Sequence, residues 1–235
     1  MIIIKNDKEI DLMRIAGRIV AETLLLVEKE VRPGITTAEL DRIAEEFITK
    51  HGAKPSFKGL YGFPASLCIS VNEQVVHGIP GGYVLKEGDI ISVDCGANIN
   101  GFHGDAARTF AVGNISEEAK RLIKVTEESF FKGLEFAKVG NKLTDISHEI
   151  QRYVEVSGFS VVREFVGHGI GKSVHEDPEV PNFGRPGRGP KLVAGMALAI
   201  EPMVNMGTYR VATLGDDWTV VSADKSLSAH YENTV

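Results

Sequence analysis

Four features of this chain occur twice, in the same order and at nearly constant offsets, and this internal repeat constrains the fold more than any other property of the sequence. A helix-sized segment is bounded by Gly34 and Gly52 in the first half and by Gly140 and Gly158 in the second, a separation of 18 residues each time. A longer amphipathic segment precedes each. Ile10, Met13, Gly17, Val20, Leu24, Val27 and Val31 recur at helical spacing, as do Leu122, Val125, Phe130, Leu134 and Ala137. Glu73-Gln74-Val75-Val76-His77-Gly78-Ile79 is answered by Glu164-Phe165-Val166-Gly167-His168-Gly169-Ile170. Gly88 stands six residues before Asp94 and Gly195 six before Glu201, each with an apolar run between. One helix–helix–strand unit used twice implies an approximate two-fold axis and a cleft between the halves. His77, Asp94, His168 and Glu201 are expected to converge on that cleft.

Local signals fill in the elements. Asp7 reads as the N-cap of the first helix, Arg32-Pro33-Gly34 breaks it, and Thr36-Thr37-Ala38-Glu39 is a capping box for the second. Ser116 caps the third. Extended segments are expected at Cys68–Val71 and Asp89–Asp94, with Asn100-Gly101 as a hairpin turn and Phe102–Val112 as the returning strand. The expectation is an α/β (α+β) chain, one catalytic domain over residues 1–235 with halves of about 1–113 and 114–235 around a central antiparallel sheet. A hydrophobic content of 43% and a charged content of 25% are ordinary for a folded chain. The net charge of -6 disfavours a dedicated binder of nucleic acid or anionic membrane. Cys68 and Cys95 are too few for a disulfide framework and read as reduced thiols. No apolar run is long enough to span a bilayer, so the cytoplasm is the expected compartment.

Asp94 ends an otherwise apolar strand, where a bare carboxylate is prohibitive. If Asn100-Gly101 is a two-residue turn, Asp94 faces Ala107, and Asp105 lies two residues away on the same face. Two carboxylates so placed repel unless a cation lies between them, and a divalent metal is the usual remedy. His168 sits between Gly167 and Gly169, which permit close backbone approach. Glu201, like Asp94, closes an apolar strand. Glu232 carries no such compositional signal.

The blocks Val76-His77-Gly78-Ile79-Pro80, Ser92-Val93-Asp94-Cys95-Gly96, Gly104-Asp105-Ala106-Ala107, Gly167-His168-Gly169-Ile170-Gly171, His175-Glu176-Asp177-Pro178, Ile200-Glu201-Pro202-Met203 and Tyr231-Glu232-Asn233-Thr234 together resemble the signature of the type I methionine aminopeptidases, in the short bacterial form. The resemblance runs from about Ile10 to the last residue. It implies the pita-bread fold and removal of N-terminal methionine from peptides and nascent proteins, with a small second residue preferred. It implies Asp94, Asp105, His168, Glu201 and Glu232 as ligands of two divalent ions (Co, Mn, Fe or Zn), with Asp105 and Glu232 bridging. Glu201 would move the proton, His175 would hydrogen-bond the scissile amide, and His77 would steady the intermediate or leaving group. Leu60, Phe63, Cys68, Val174 and Trp218 would surround the methionine side chain. Carbonyls at Asn72, Gln74 and Ser228 would hold a monovalent cation, Na or K.

The expected partner is a peptide beginning with Met, and the expected state is a monomer. The basic segment Gly184-Arg185-Pro186-Gly187-Arg188-Gly189-Pro190-Lys191 reads as a flexible solvated loop, with a transient ribosome contact as the alternative. A sequence that stops three residues after Glu232 is expected to hold that residue loosely. The rival readings are an enzyme of the same fold that cleaves before proline, such as a prolidase, and a binding protein that has lost catalysis.

Overall fold

A computed structural model describes residues 1–235. The first amphipathic stripe forms α1 (Asp7–Glu30), capped by Asn6 and not by Asp7. Asn6 Oδ1 accepts from Glu9 N at 3.1 Å, and Glu9 Oε2 accepts the Asn6 N–H at 3.0 Å. This reciprocal box fixes the helix start one residue earlier than the sequence implied. The second helix, α2 (Thr37–Lys50), opens on the expected Thr36–Glu39 box. In the second half α3 (Glu117–Leu134) is capped by Ser116, and α4 (Leu143–Val156) lies between Gly140 and Gly158. Ala137, expected on α3, falls outside it because the helix closes at Leu134 with Glu135 as its C-cap.

The strands are short apart from one hairpin. In the first half they are β1 (Lys54–Pro55), β2 (Leu67–Val71), β3 (Gln74–Val76), β4 (Ile90–Ile99) and β5 (Phe102–Ala111). In the second half they are β6 (Ser160–Val161), β7 (Gly167–Gly169), β8 (Glu176–Val180), β9 (Leu198–Ile200), β10 (Met203–Asn205), β11 (Val211–Thr213), β12 (Val220–Ser222), β13 (Ser228–His230) and β14 (Asn233–Thr234). All pairings are antiparallel. The β4–β5 hairpin turns on Asn100 and Gly101, whose φ angles of 52° and 84° suit a two-residue primed turn. Its register places Asp94 opposite Ala107 and Asp105 opposite Gly96, as the turn chemistry required.

Helices α1 and α2 cover one face of this hairpin through Val27, Leu40, Ala44, Ile48, Leu67, Ile91 and Val93. Gly104 lets α1 approach β5, because a Cβ there would lie 2.7 Å from Gly17 N. In the second half α3 and α4 pack through Leu122, Val125, Val154 and Val204, and through Phe130, Ile146, Ile150, Leu198 and Ile200. The segment Ser228–Thr234 joins the halves. On one side it pairs with β10 and β9, and on the other Glu232 exchanges backbone hydrogen bonds with Ala107 of β5 at 3.0 and 3.3 Å. Glu232 is therefore held from both sides, contrary to the expectation that it would be loose.

No helix is long and apolar enough to cross a membrane. The basic loop is more restrained than its composition implied. Gly187 N donates to Asp145 Oδ1 and Arg188 N to Thr144 Oγ1, each at 2.7 Å, which ties the loop to the first turn of α4.

Candidate metal centre

Strand register alone explains why residues far apart in sequence meet. Asp94 pairs with Ala107, Ala107 pairs with Glu232, and Glu201 lies opposite Glu232 where the β9–β14 and β10–β13 registers meet. Residues in one row across neighbouring strands share a face, so Asp94, Glu232 and Glu201 project together. The next row of that face holds Asp105 and His168, linked through Thr234 and Ala199. Thr234 Oγ1 accepts from Asp105 N at 3.0 Å and donates to Asp105 O at 2.9 Å, which fixes the backbone beneath that carboxylate. One ligand atom each from Asp105, His168 and Glu232 lies within 4.8 Å of the others. The structure thus brings all five residues to one place.

The electrostatics of this group are severe. Asp105 and Glu232 are buried, while Asp94 and Glu201 are half-buried. Burial pushes the Asp94 carboxyl up to about 7. Burial first, and then the neighbouring carboxylates, hold Asp105, Glu201 and Glu232 well above the usual range. Asp94 Oδ1, Asp105 Oδ1 and Glu232 Oε1 have no hydrogen-bond partner, and the only ion-pair partners of the four carboxylates are histidines. The single fixed imidazole lone pair belongs to His168. Its Nδ1 is 2.8 Å from Gly169 O, so the N–H donates there and Nε2 faces Glu201 Oε1 at 3.6 Å. Burial keeps this ring neutral, with its pKa lowered to about 4. Clustered carboxylate oxygens without donors, plus a neutral imidazole, fit a divalent cation of the Mn, Fe, Co or Zn kind.

A cavity of about 120 Å³ opens onto the centre, and Leu60, Phe63, Cys68, His77, His175 and Trp218 line it together with four carboxylates and His168. Phe63 meets Trp218 edge-on at 5.1 Å. Val174 departs from the expected lining: it packs behind the wall, against the cluster of Phe57, Phe63 and Cys68, rather than on the cavity surface. A second, outer compartment shares His77, Asp94, His168, His175 and Glu201 with the first and continues along Phe165, Glu176 and Glu179. The carboxylates and imidazoles therefore stand at the junction of a smaller pocket with aromatic walls and a larger groove. His77, at φ 59°, meets Phe165 edge-on at 5.5 Å, and His175 meets His168 at 4.5 Å. Asn72 and Ser228 are joined by a backbone hydrogen bond of 2.9 Å, and Gln74 Oε1 accepts from Val71 N nearby.

Three residues escaped the sequence reading. Phe57 lines the cavity, and Tyr61 stacks over His175 with ring centroids 5.9 Å apart. His230 points its Nε2 at Glu201 and Glu232. Position 230 lies two residues before Glu232, so once resemblance selects Glu232 the alternation of an extended chain puts His230 on the same face.

A model of metallopeptidase family M24 matches residues 11–235, and the chain belongs to that family of metal-dependent hydrolases. Within it the chain is a methionyl aminopeptidase, which removes methionine from peptide N-termini. A methionine aminopeptidase of Clostridium perfringens is 78% identical over 235 residues, covering 100% of this chain and 94% of that protein. The solved structure of a methionine aminopeptidase from Thermotoga maritima superposes with a TM-score of 0.98 at 48% identity, covering 100% of this chain and 94% of that one. The fold is accordingly the pita-bread fold. A prolidase from Pyrococcus horikoshii superposes with a TM-score of 0.80 at 24% identity over 60% of its chain, a likeness of fold alone.

Proposed function

We propose that the chain excises N-terminal methionine from proteins whose second residue is small, using two divalent ions held by Asp94, Asp105, His168, Glu201 and Glu232. The observation that carries this reading is the row-by-row convergence of four carboxylates, three of which, Asp94, Asp105 and Glu232, bury an oxygen that lacks a partner. Asp105 and Glu232, the most deeply buried of the carboxylates, would be shared between the ions, with Asp94, His168 and Glu201 supplying the remaining ligands. When bound, such ions polarise the scissile carbonyl and lower the pKa of attacking water.

The remaining work falls to side chains. Glu201 takes the proton from the water and passes it to the departing amine, a role suited to a carboxyl whose burial raises its proton affinity. His175 and His77 flank the junction between the two compartments, where the scissile amide must lie. His175 hydrogen-bonds that amide. His77, kept neutral by burial with its pKa near 4, steadies the intermediate or the leaving group. The methionine thioether lies among Leu60, Phe63, Cys68 and Trp218, a soft apolar lining, with Val174 supporting the wall. The second residue passes between the imidazoles of His77 and His175, which favours small side chains. The carbonyls of Asn72, Gln74 and Ser228 form a monovalent-cation cradle. The setting is the cytoplasm, on nascent chains, with Arg185 and Arg188 offering a ribosome contact.

The test is product analysis on a panel of Met-Xaa-Ser peptides after reconstitution with each metal in turn. Release of methionine ahead of Ala, Gly or Ser, and little ahead of Leu or Arg, is the expected result. Equal turnover across the panel would refute the preference. Cleavage confined to Xaa-Pro peptides would refute the substrate assignment.

A further inference from the structure

His230 lies in β13, in the row beside Glu232, and is only 2% exposed. Its Nε2 is buried without a hydrogen-bond partner, 3.7 Å from Glu201 Oε2 and 4.0 Å from Glu232 Oε2. Glu201 is thus bracketed by two imidazoles, His168 on Oε1 at 3.6 Å and His230 on Oε2 at 3.7 Å. The two rings differ in one respect that decides their roles. Gly169 O accepts the Nδ1 proton of His168, so the lone pair of that ring sits on Nε2. No carbonyl fixes a proton on Nδ1 of His230 as Gly169 O does for His168, so the proton can reside on Nε2, which lies beside the Glu201 and Glu232 carboxylates. A neutral ring among acceptors is most stable when it donates to one of them.

We propose that His230 is a positioning residue that donates from Nε2 to Glu201 Oε2, setting the orientation of the carboxylate that moves the proton and would ligate metal. It is the outer partner of a ligand rather than a sixth ligand. Such partners fix the geometry of the groups that hold an ion, and their loss commonly weakens metal binding by about 10–100-fold. The inference rests on the proposed role of Glu201.

The test uses the full-length chain stripped of metal and titrated calorimetrically with Mn²⁺ alone, together with turnover of Met-Ala-Ser. His230→Leu, which fills space without donating, is expected to weaken Mn²⁺ binding by about tenfold or more and to lower kcat more than it changes KM. His230→Gln carries an amide N–H of similar reach and is expected to restore most of both. Should His230→Leu fail to fold, His230→Asn makes the same comparison, because its donor falls short of Glu201. A Leu or Asn variant that binds Mn²⁺ and turns over like the parent would overturn the proposal. So would a Gln variant as deficient as these, since the imidazole nitrogen itself would then be required. Glu201→Gln is run in parallel. If it binds metal and turns over normally, the reading of Glu201 has failed, which is a separate outcome from failure at His230.

Discussion

The glycines on either side of His168 show how a single residue type sets the geometry of the centre. A Cβ at Gly167 would overlap Ala199 O, and one at Gly169 would overlap Asp177 O. Strands β8 and β9 can close on β7 only because neither side chain exists, and that closure carries His168 toward Glu201. Gly169→Ala is therefore expected to cost about 1–3 kcal/mol of stability by overpacking. It should also weaken metal binding, which a denaturant melt and a metal titration would measure together. Unchanged behaviour in both would mean that β8 moves freely. At this scale the sequence was legible where a carboxylate closed an apolar run, as at Asp94 and Glu201, and Asp105 followed from the register of the Asn100-Gly101 hairpin. Glu232 did not, because its segment is short and polar, and only resemblance selected it. Tyr61 was unreadable for a different reason. Its place over His175 depends on a left-handed backbone at φ 52°, which an aromatic residue seldom adopts.

Among the elements, the mostly apolar segment ahead of α1 has a task that its one lysine carries. Lys5 N donates to Gly195 O at 2.7 Å, and Lys5 Nζ pairs with Glu176 Oε2 at 2.6 Å. The two side chains are only 3% and 7% exposed. Glu176 follows His175 directly, so this pair anchors one of the histidines at the cavity mouth. Lys5→Met keeps much of the volume but leaves a buried carboxylate unpaired, which is expected to destabilise the fold by about 3 kcal/mol. The double variant Lys5→Met/Glu176→Gln should recover much of that loss. Equal melting of the parent and the single variant would show that the pair contributes nothing. The starts of α2 and α3, the hairpin register and the glycines that bound α2 and α4 were readable here, since each rests on local chemistry such as capping boxes and Asn-Gly turns, while the start of α1 was misplaced by one residue. The cross-strand joins that Ser228–Thr234 makes with β5, β9 and β10 were not, because a strand of two or three residues carries no periodicity of its own.

The last segment of the molecule, Ser228–Thr234, joins β5 to β9 and β10, and the buried carboxylates lie along that seam. Assembling them without metal works against stability in a way that depends on pH. The Asp94 pKa is raised from 3.8 to about 7, and Asp105, Glu201 and Glu232 are displaced in the same direction. At a pH below the unfolded values, folded and unfolded chains are both protonated and the cluster carries no penalty. As pH rises from the unfolded value of 3.8 through the folded value of about 7, the unfolded chain has released the Asp94 proton while the folded chain still holds it, so the metal-free fold weakens. Divalent ions remove the penalty by replacing the protons. The most direct measurement is the melting temperature of the metal-stripped chain between about pH 5 and about pH 8, with and without saturating Mn²⁺. The predicted result is a Tm that falls with rising pH in the stripped chain and is restored by Mn²⁺ most strongly at the alkaline end. A stripped chain that melts at the same temperature across that range, or that gains nothing from Mn²⁺, would contradict the account.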